Sequence, residues 1–409
     1  MHPDANSQWA QARPFDGGGI VSFSTIGGLV FMDDPTGIFV SSDGGLTWIE
    51  RDTISPSLGE GYWTSLSGTI GPLVSDGPVL YVGAYGDGRA GDPYGLYASS
   101  DSGASWTLQD LEVGQGTRSD WQVVSLSISL PVVYAAVTNG YIFRSANNGV
   151  KFRESDAGLV DGSDNSLYSI SVLGNVNGEI FAGTYGSGVF RSTNSGTTWV
   201  AVDSSFGEDA SDLPTPSCFL TFQGNLYAGT EQGMFITSNR GISWAAMDSG
   251  LPAISILSLA GNGTSIFAGT DGAGIYLSTD KGVSWNAVDS GLNAESIPAL
   301  ISNGTYLFAG TASDGIWKRP IVEMVTGVRT ARNALPAKFS LSQNYPNPFN
   351  PVTTITYEIP TTSTVHLAVF DLLGRQVATL AEGLKHAGVY YCRLQAGTYT
   401  SVKKLLLAK

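Results

Sequence analysis

The chain has 409 residues, of which 42% are hydrophobic and 14% charged, with 52 glycines and a formal net charge of −14. That length allows two or more domains with sizeable cores and excludes global disorder, and the acidic balance argues against nucleic acid or anionic lipid as the main partner. The two cysteines, Cys218 and Cys392, lack metal-type spacing and exclude a disulfide framework, and no apolar run reaches the length of roughly eighteen residues that a membrane-spanning helix needs.

In chain order, the start at Met1-His2-Pro3-Asp4 carries no basic n-region and no apolar h-region, so a signal peptide, if the protein is exported, is expected outside this sequence. Trp9-Ala10-Gln11-Ala12 follows, and it matches two later stretches, Trp244-Ala245-Ala246-Met247 and Trp285-Asn286-Ala287-Val288. Each of those closes a copy of one octapeptide, Ser/Thr-x-Asp/Asn-x-Gly-x-Thr/Ser-Trp, with copies beginning at Ser41, Ser99, Ser145, Ser192, Thr237 and Ser278. The spacings of 58, 46, 47, 45 and 41 residues mark a repeat architecture whose unit is a small sheet of about four strands, buried only by its neighbours.

The octapeptide reads as a hairpin turn. The side-chain oxygen at Asp43, Asp101, Asn147, Asn194, Asn239 and Asp280 can accept backbone N–H groups, and the Gly two places on can take positive φ. The Trp opens the next strand and wedges into the apolar layer. A metal-ligand role is the competing reading, weakened because half the copies hold Asn, which lacks the charge a hard cation favours. The copy at Ser145 is decayed, with Lys151 and Phe152 in place of the hydroxyl and the indole.

Within a unit, an alternating strand and a turn lead to a second strand ending Phe267-Ala268-Gly269-Thr270, and this signature recurs to make seven units. The seventh stops at Ile316-Trp317-Lys318 without an octapeptide, and the Trp9 stretch is expected to supply its missing outer strand, closing a ring and removing exposed edges. The expectation is an all-β chain: a seven-bladed propeller over residues 1–320, a linker over 321–338, and a small Ig-like β-sandwich over 339–409 whose entry is punctuated by Pro346, Pro348 and Pro351. The acidity belongs to the repeats, since residues 1–338 hold 15 basic and 32 acidic side chains.

The octapeptides resemble the Asp-box, or bacterial neuraminidase repeat, of Asp-box β-propellers. That resemblance covers roughly residues 1–319 and implies the fold strongly and the function weakly, because such propellers include sialidases, xyloglucan hydrolases, sortilin-like receptors and photosystem II assembly-factor-like proteins. Asn344-Tyr345-Pro346-Asn347-Pro348-Phe349-Asn350-Pro351, Val369-Phe370-Asp371-Leu372-Leu373-Gly374-Arg375, Gly388-Val389-Tyr390 and the closing Lys403-Lys404-Leu405-Leu406-Leu407-Ala408-Lys409 resemble the type A C-terminal sorting domain of the Bacteroidetes-group type IX secretion system. The resemblance implies the type IX machinery as a partner and a secreted or outer-surface location.

Ligand chemistry is expected on the face opposite the octapeptide turns. The connection Ala84 to Tyr94, with Tyr85, Asp87, Arg89, Asp92 and Tyr94, is much longer than its counterpart Thr270-Asp271-Gly272-Ala273, and neighbouring connections add Tyr62, Trp63, Arg118 and Trp121. Aromatic platforms beside carboxylates and arginines suit a glycan or a peptide; a decorated loop without a ligand is the plainer reading. A sialidase-like site needs three convergent arginines, and Arg144, Arg191, Arg51, Arg153 and Arg240 all lie at the octapeptide end, leaving Arg13, Arg89 and Arg118. No HExxH, GxSxG or P-loop pattern occurs, and the three histidines lie outside the repeats. The expected function is therefore a non-catalytic binding or scaffolding module, a monomer without metal or cofactor, with a glycoside hydrolase of sialidase or xyloglucanase type as the alternative.

Overall fold

The structure, a computed structural model, describes residues 9–13, 19–51, 70–84, 95–112, 122–129, 131–147, 149, 151–160, 166–202, 206, 213–292 and 296–325, and in the C-terminal part 340–341, 357–358, 365–371, 373–379, 389–396 and 399–406. The chain divides into two compact units, residues 1–326 and 327–409.

The first unit is a seven-bladed β-propeller. Blade 6 shows the plan: an inner strand Ile256–Asn262, a second Ser265–Thr270, a third Ile275–Ser278 and an outer strand Asn286–Ala287, each antiparallel to the next. Blades 1 to 5 span residues 22–50, 70–108, 123–154, 170–201 and 216–246 in the same order. Blade 7 takes its inner three strands from residues 299–320 and its outer strand, Ala10–Arg13, from the other end of the chain, pairing Ala10 with Lys318 and Gln11 with Trp317. Successive inner strands touch around the ring, and Ala299–Ser302 closes on Ser22–Ile26.

Apolar side chains fill the spaces between blades. Phe31, Leu80, Val82 and Trp106 form the layer between blades 1 and 2, and Phe181, Phe206, Phe235 and Trp244 that between blades 4 and 5. The glycine of the Phe-Ala-Gly-Thr signature admits the next inner strand: a Cβ on Gly183 would stand 2.8 Å from Pro216, and one on Gly310 would stand 2.5 Å from Ile20. The threonine of the signature closes the following turn, as where Thr270 Oγ1 donates to Gly274 O at 2.8 Å.

The octapeptides are self-contained turns. In blade 6, Ser278 Oγ donates to Asp280 Oδ1 at 2.8 Å and accepts from the Gly282 N–H at 2.7 Å, while Asp280 takes the Ser284 N–H on Oδ1 at 2.9 Å and the Ser284 hydroxyl on Oδ2 at 2.5 Å. Blades 1 and 2 repeat this around Asp43 and Asp101. Where the residue is Asn, one bond reverses: Asn194 Nδ2 donates to Thr198 Oγ1 at 2.9 Å and Asn239 Nδ2 to Ser243 Oγ at 2.8 Å. Asp and Asn are interchangeable because the partner hydroxyl both donates and accepts. Hydrogen bonds from the Thr47 hydroxyl and N–H hold Asp43 well below the usual carboxylate range. The residue after the Asp or Asn also sits at positive φ, at 59° for Ser102, 56° for Ser195, 60° for Arg240 and 64° for Lys281, a conformation costly for a side chain with a Cβ and supported here by the dense local bonding.

Every octapeptide indole except Trp48 then ties its blade to the one before. Trp106 Nε1 donates to Arg51 O at 2.7 Å, and Trp199, Trp244 and Trp285 donate at 2.8 Å to the carbonyls of Ser155, Val202 and Met247. In every case the acceptor lies three residues after the preceding blade's equivalent aromatic residue. Trp9 follows the same rule for blade 7, donating to Val288 O at 2.8 Å.

Two features differ from the sequence expectation. Blade 3 has a fifth strand, Asp110–Glu112, parallel to Lys151–Glu154, because Leu111 buries itself among Tyr81, Val133 and Phe152. Residues 321–325, read from the sequence as the start of a linker, are helical, with Ile321 and Met324 buried.

In the second unit the described strands are a four-stranded antiparallel sheet, ordered Gln376–Thr379, Val365–Phe370, Val389–Ala396, Tyr399–Leu406, and a pair formed by Ser340–Leu341 and Tyr357–Glu358. The full sandwich expected from the sequence draws on residues outside the described set. Asp371 organises the turn between the first two strands of the sheet, accepting the N–H groups of Leu373 and Arg375 at 2.9 Å and the Arg375 Nε–H at 2.7 Å.

Candidate functional site

All nine residues expected to bind a ligand lie outside the described residues: Tyr62 and Trp63 within 52–69, Tyr85, Asp87, Arg89, Asp92 and Tyr94 within 85–94, and Arg118 and Trp121 within 113–121. The strand ends that carry these connections are described. Ile70 pairs with Ala84 and Ala84 with Gly95, so the segment 85–94 leaves and rejoins blade 2 at one closed end beside the start of its inner strand. Gln122 and Thr138 exchange hydrogen bonds at the corresponding end of blade 3, its O accepting the Thr138 N–H at 2.9 Å. The three connections therefore leave adjoining blades from the face opposite the octapeptide turns.

The central channel offers a cavity of 390 Å³ lined by inner-strand residues, among them Phe23, Ser75, Ile128, Asn175, Phe219, Thr221 and Ile301. Its described lining holds no Asp, Glu, Lys, Arg or His. The polar groups are used to sew blades together. The Leu73 N–H donates to Ser22 Oγ at 2.8 Å, Ser75 Oγ to Thr25 O at 3.0 Å, the Leu173 N–H to Ser125 Oγ at 2.8 Å, Asn175 Nδ2 to Ile128 O at 2.8 Å and Thr221 Oγ1 to Asn175 O. Each bond occupies a backbone group on an inner strand's free edge, which would otherwise face the channel unpaired.

Three of the octapeptide-end arginines serve the same purpose. Arg144 donates to Ser195 O at 3.0 Å and Arg191 to Arg240 O at 2.7 Å, each tying a third strand to the next blade's turn, while Glu179 bridges Arg240 at 3.0 Å. Lys318 does likewise across the ring closure, donating to Gly44 O at 2.7 Å. Arg13, the one described arginine left for the opposite face, is also engaged: its guanidinium lies 3.6 Å from the centre of the Phe39 ring and 3.7 Å from Asp34 Oδ2.

Asp33 and Asp34 were not singled out from the sequence. They stand where the other blades carry the Gly-Thr of the second-strand signature, and that substitution is the signal that would have found them. Both are fully buried. Asp33 Oδ1 accepts the Ser22 N–H at 2.6 Å and the Ser22 hydroxyl at 2.9 Å, while Asp33 Oδ2 is buried without a partner among the described residues. Burial pushes its carboxyl up to about 8 despite the Ser22 bonds. Asp34 Oδ1 accepts the Thr36 N–H at 2.7 Å and the Thr36 hydroxyl, replacing the turn-closing threonine of the other blades. Among the described residues no three His, Cys, Asp or Glu side chains cluster as metal ligands.

Residues 343–408 match the family described as the secretion system C-terminal sorting domain. This is a secreted or outer-surface protein. The sorting tail implies export through the type IX system, and no helix among the described residues is long and apolar enough to cross a membrane. No curated protein matches the chain. Among solved structures the chain is similar to YCF48 from Cyanidioschyzon merolae, at 15% identity and a TM-score of 0.55 over 77% of this chain and 99% of that one. It is also similar to PorZ, a surface component of the type IX secretion system of Porphyromonas gingivalis, at 14% identity and a TM-score of 0.54 over 95% of this chain and 59% of that one. The GH74 xyloglucanase from Xanthomonas campestris is similar at 16% identity and a TM-score of 0.57, over 95% of this chain and 59% of that one. At these identities the likeness shows the propeller fold alone.

Proposed function

We propose that the protein is a non-catalytic binding or scaffolding propeller of the cell surface, delivered by its sorting domain, that holds a glycan or a protein segment on the face opposite the octapeptide turns at blades 2 and 3. The observation that carries this reading is the allocation of polar chemistry. Arg144, Arg191 and Arg240, the octapeptide carboxylates and the channel hydroxyls are bonded within or between blades, whereas the long connections of blades 2 and 3 extend from closed strand ends. Functional groups on loops held by a stiff scaffold are the usual arrangement for recognition. Two similar proteins lend support in kind: YCF48 has been solved bound to D1 peptide, and PorZ is a surface component.

The test is a glycan array and a peptide-capture screen on the purified protein, with hydrolysis of the same glycans assayed in parallel. Binding without turnover is expected, with Trp63→Ala and Trp121→Ala each weakening it by about 2 kcal/mol if those rings are the anchors. Turnover of any glycan would replace this reading with the hydrolase. Normal binding by both folded variants would move the site elsewhere on the ring.

A further inference from the structure

Blade 7 lacks the octapeptide hairpin that joins the third and outer strands of the other blades. Its outer strand, Ala10–Arg13, arrives from the other end of the chain, and no hairpin sets its position. The edge that receives it is fixed without its help. Arg319 donates to Val288 O, just past the outer strand of blade 6, at 3.0 Å, and Lys318 Nζ donates to Gly44 O of blade 1 at 2.7 Å, so Ile316–Pro320 is held from both sides. Trp9 Nε1 donates to the same Val288 carbonyl at 2.8 Å, and that carbonyl keeps its Arg319 bond when the indole leaves.

The strand itself is held by less. Ala10 and Gln11 are exposed, the register slips between Gln11 and Arg13, and Arg13 Nη1 is buried without a hydrogen-bond partner among the described residues. Beyond the ladder its ties are Gln11 Nε2 to Asp314 O at 2.9 Å, the Arg13 guanidinium over Phe39, and Trp9. Trp9 is the deep contact, 4% exposed, with its N–H also directed at Ser290 O at 3.4 Å. A short linear segment with one aromatic anchor, laid on a ready-made sheet edge, is the arrangement by which strands are added between chains.

We propose that the outer-strand slot of blade 7 is an interaction site for a second copy of this chain, whose residues 9–13 replace the resident strand in a reciprocal exchange. The fit names the occupant: a second copy supplies the same Trp for Val288 O and remakes every contact of the strand. Five residues, 14–18, separate Arg13 from Gly19, and Gly19 is packed on its own blade 7, where a Cβ would stand 3.1 Å from Ala312 O. That length of chain reaches roughly 20 Å, so exchanging copies must meet blade 7 to blade 7 about a two-fold axis. The same short tether gives the resident strand a high effective concentration, so the ring closes on itself when dilute and exchange grows with protein concentration.

The experiment mixes two full-length variants, Ala10→Cys and Lys318→Cys, under air oxidation and maps the disulfides by mass spectrometry. Ala10 and Lys318 are register partners, at a separation a disulfide spans, and neither variant can form that bond within itself. A disulfide between positions 10 and 318 of different copies is expected, its yield rising with protein concentration and falling about ten-fold when Trp9→Ala is added to the Ala10→Cys copy. The double variant should close the same bond within one chain when dilute. No such bond between copies, in conditions where the double variant closes, overturns the proposal. So does a yield indifferent to Trp9→Ala, or linkage directed mainly to Cys218 or Cys392, since chance collision needs no anchor. Because Lys318→Cys also removes the tie to Gly44, the parent chain is followed by sedimentation and should show a concentration-dependent dimer that Trp9→Ala lacks. A parent that stays monomeric while the mixture cross-links would assign exchange to the loosened edge and overturn the proposal for the native chain.

Discussion

The interface between blades 5 and 6 and the one between blades 7 and 1 solve the same packing problem with different chemistry. At the first, Trp285 is buried and its indole N–H reaches Met247 O at 2.8 Å. At the second, Trp48 should find the carbonyl of Ala12 by the same three-residue rule, but the register of the outer strand shifts between Gln11 and Arg13, and Trp48 Nε1 is buried without a partner among the described residues. The closure relies instead on Lys318 bonded to Gly44 O, on Arg13 stacked over Phe39 beside Asp34, and on the edge-to-face packing of Trp48 against Phe308 at 6.4 Å. A seam made by joining the two ends of a chain must tolerate a strand whose register no hairpin sets, and side-chain cations tolerate such a shift better than an indole aimed at one carbonyl.

The largest expected effect comes from removing the seam strand. Deleting residues 1–13 takes away the Trp9 wedge and its bond to Val288 O together with Arg13, and should lower Tm by about 10 °C, which calorimetry would check, on the scale of a buried aromatic truncation in a domain this size. An unchanged melting curve would show that the seam carries no stability.

Next, the two indoles can be set against each other. Trp285→Phe should cost about 2 kcal/mol, from the lost hydrogen bond and the smaller ring, whereas Trp48→Phe should cost less than about 1 kcal/mol because it also removes an unpaired buried donor. Chemical denaturation of both variants checks the difference, and equal costs would mean that Trp48 finds a partner in solution.

The second strand of blade 1, on its face away from the seam, has a pH signature. Burial raises Asp33 to about 8 in the folded state from an ordinary 3.8, so the folded protein holds the proton more tightly than the unfolded chain. The stabilisation from this group is fully present below about pH 4 and is lost as pH rises toward 8. Asp33→Asn should therefore raise Tm by a few degrees at pH 8 and leave it nearly unchanged at pH 4, and a difference independent of pH would rule out the protonated carboxyl. The smallest effect is expected within the turns themselves. Asn194→Asp only reverses the bond to Thr198, and should change stability by less than about 0.5 kcal/mol in a denaturant titration.

How much could be read beforehand varied with distance along the chain. The octapeptide turns were legible because their hydrogen bonds span no more than four residues, from Ser278 to Gly282 and from Asp280 to Ser284. The sorting domain was legible from its ordered short motifs. The candidate ligand residues follow from loop length and composition, and the structure describes the strand ends they extend from. The acidic pair at Asp33 and Asp34 was visible as a break in the Gly-Thr signature, but the upward shift of the Asp33 carboxyl depends on complete burial, which a repeat pattern does not report.

The sequence by itself determined the class, the number of blades and the chemistry of their turns, since a period of roughly 45 residues and bonds between near neighbours repeat whatever the ring does as a whole. Tertiary structure alone decided the shifted register at Ala12, the fifth strand on blade 3 and the convergence of Arg144, Lys151 and Arg153 on one cavity. The physical reason is that each of these depends on which segments are brought side by side: Gln11 meets Trp317 across 306 residues, and Leu111 meets Phe152 on a parallel pairing that neither residue's own alternation specifies.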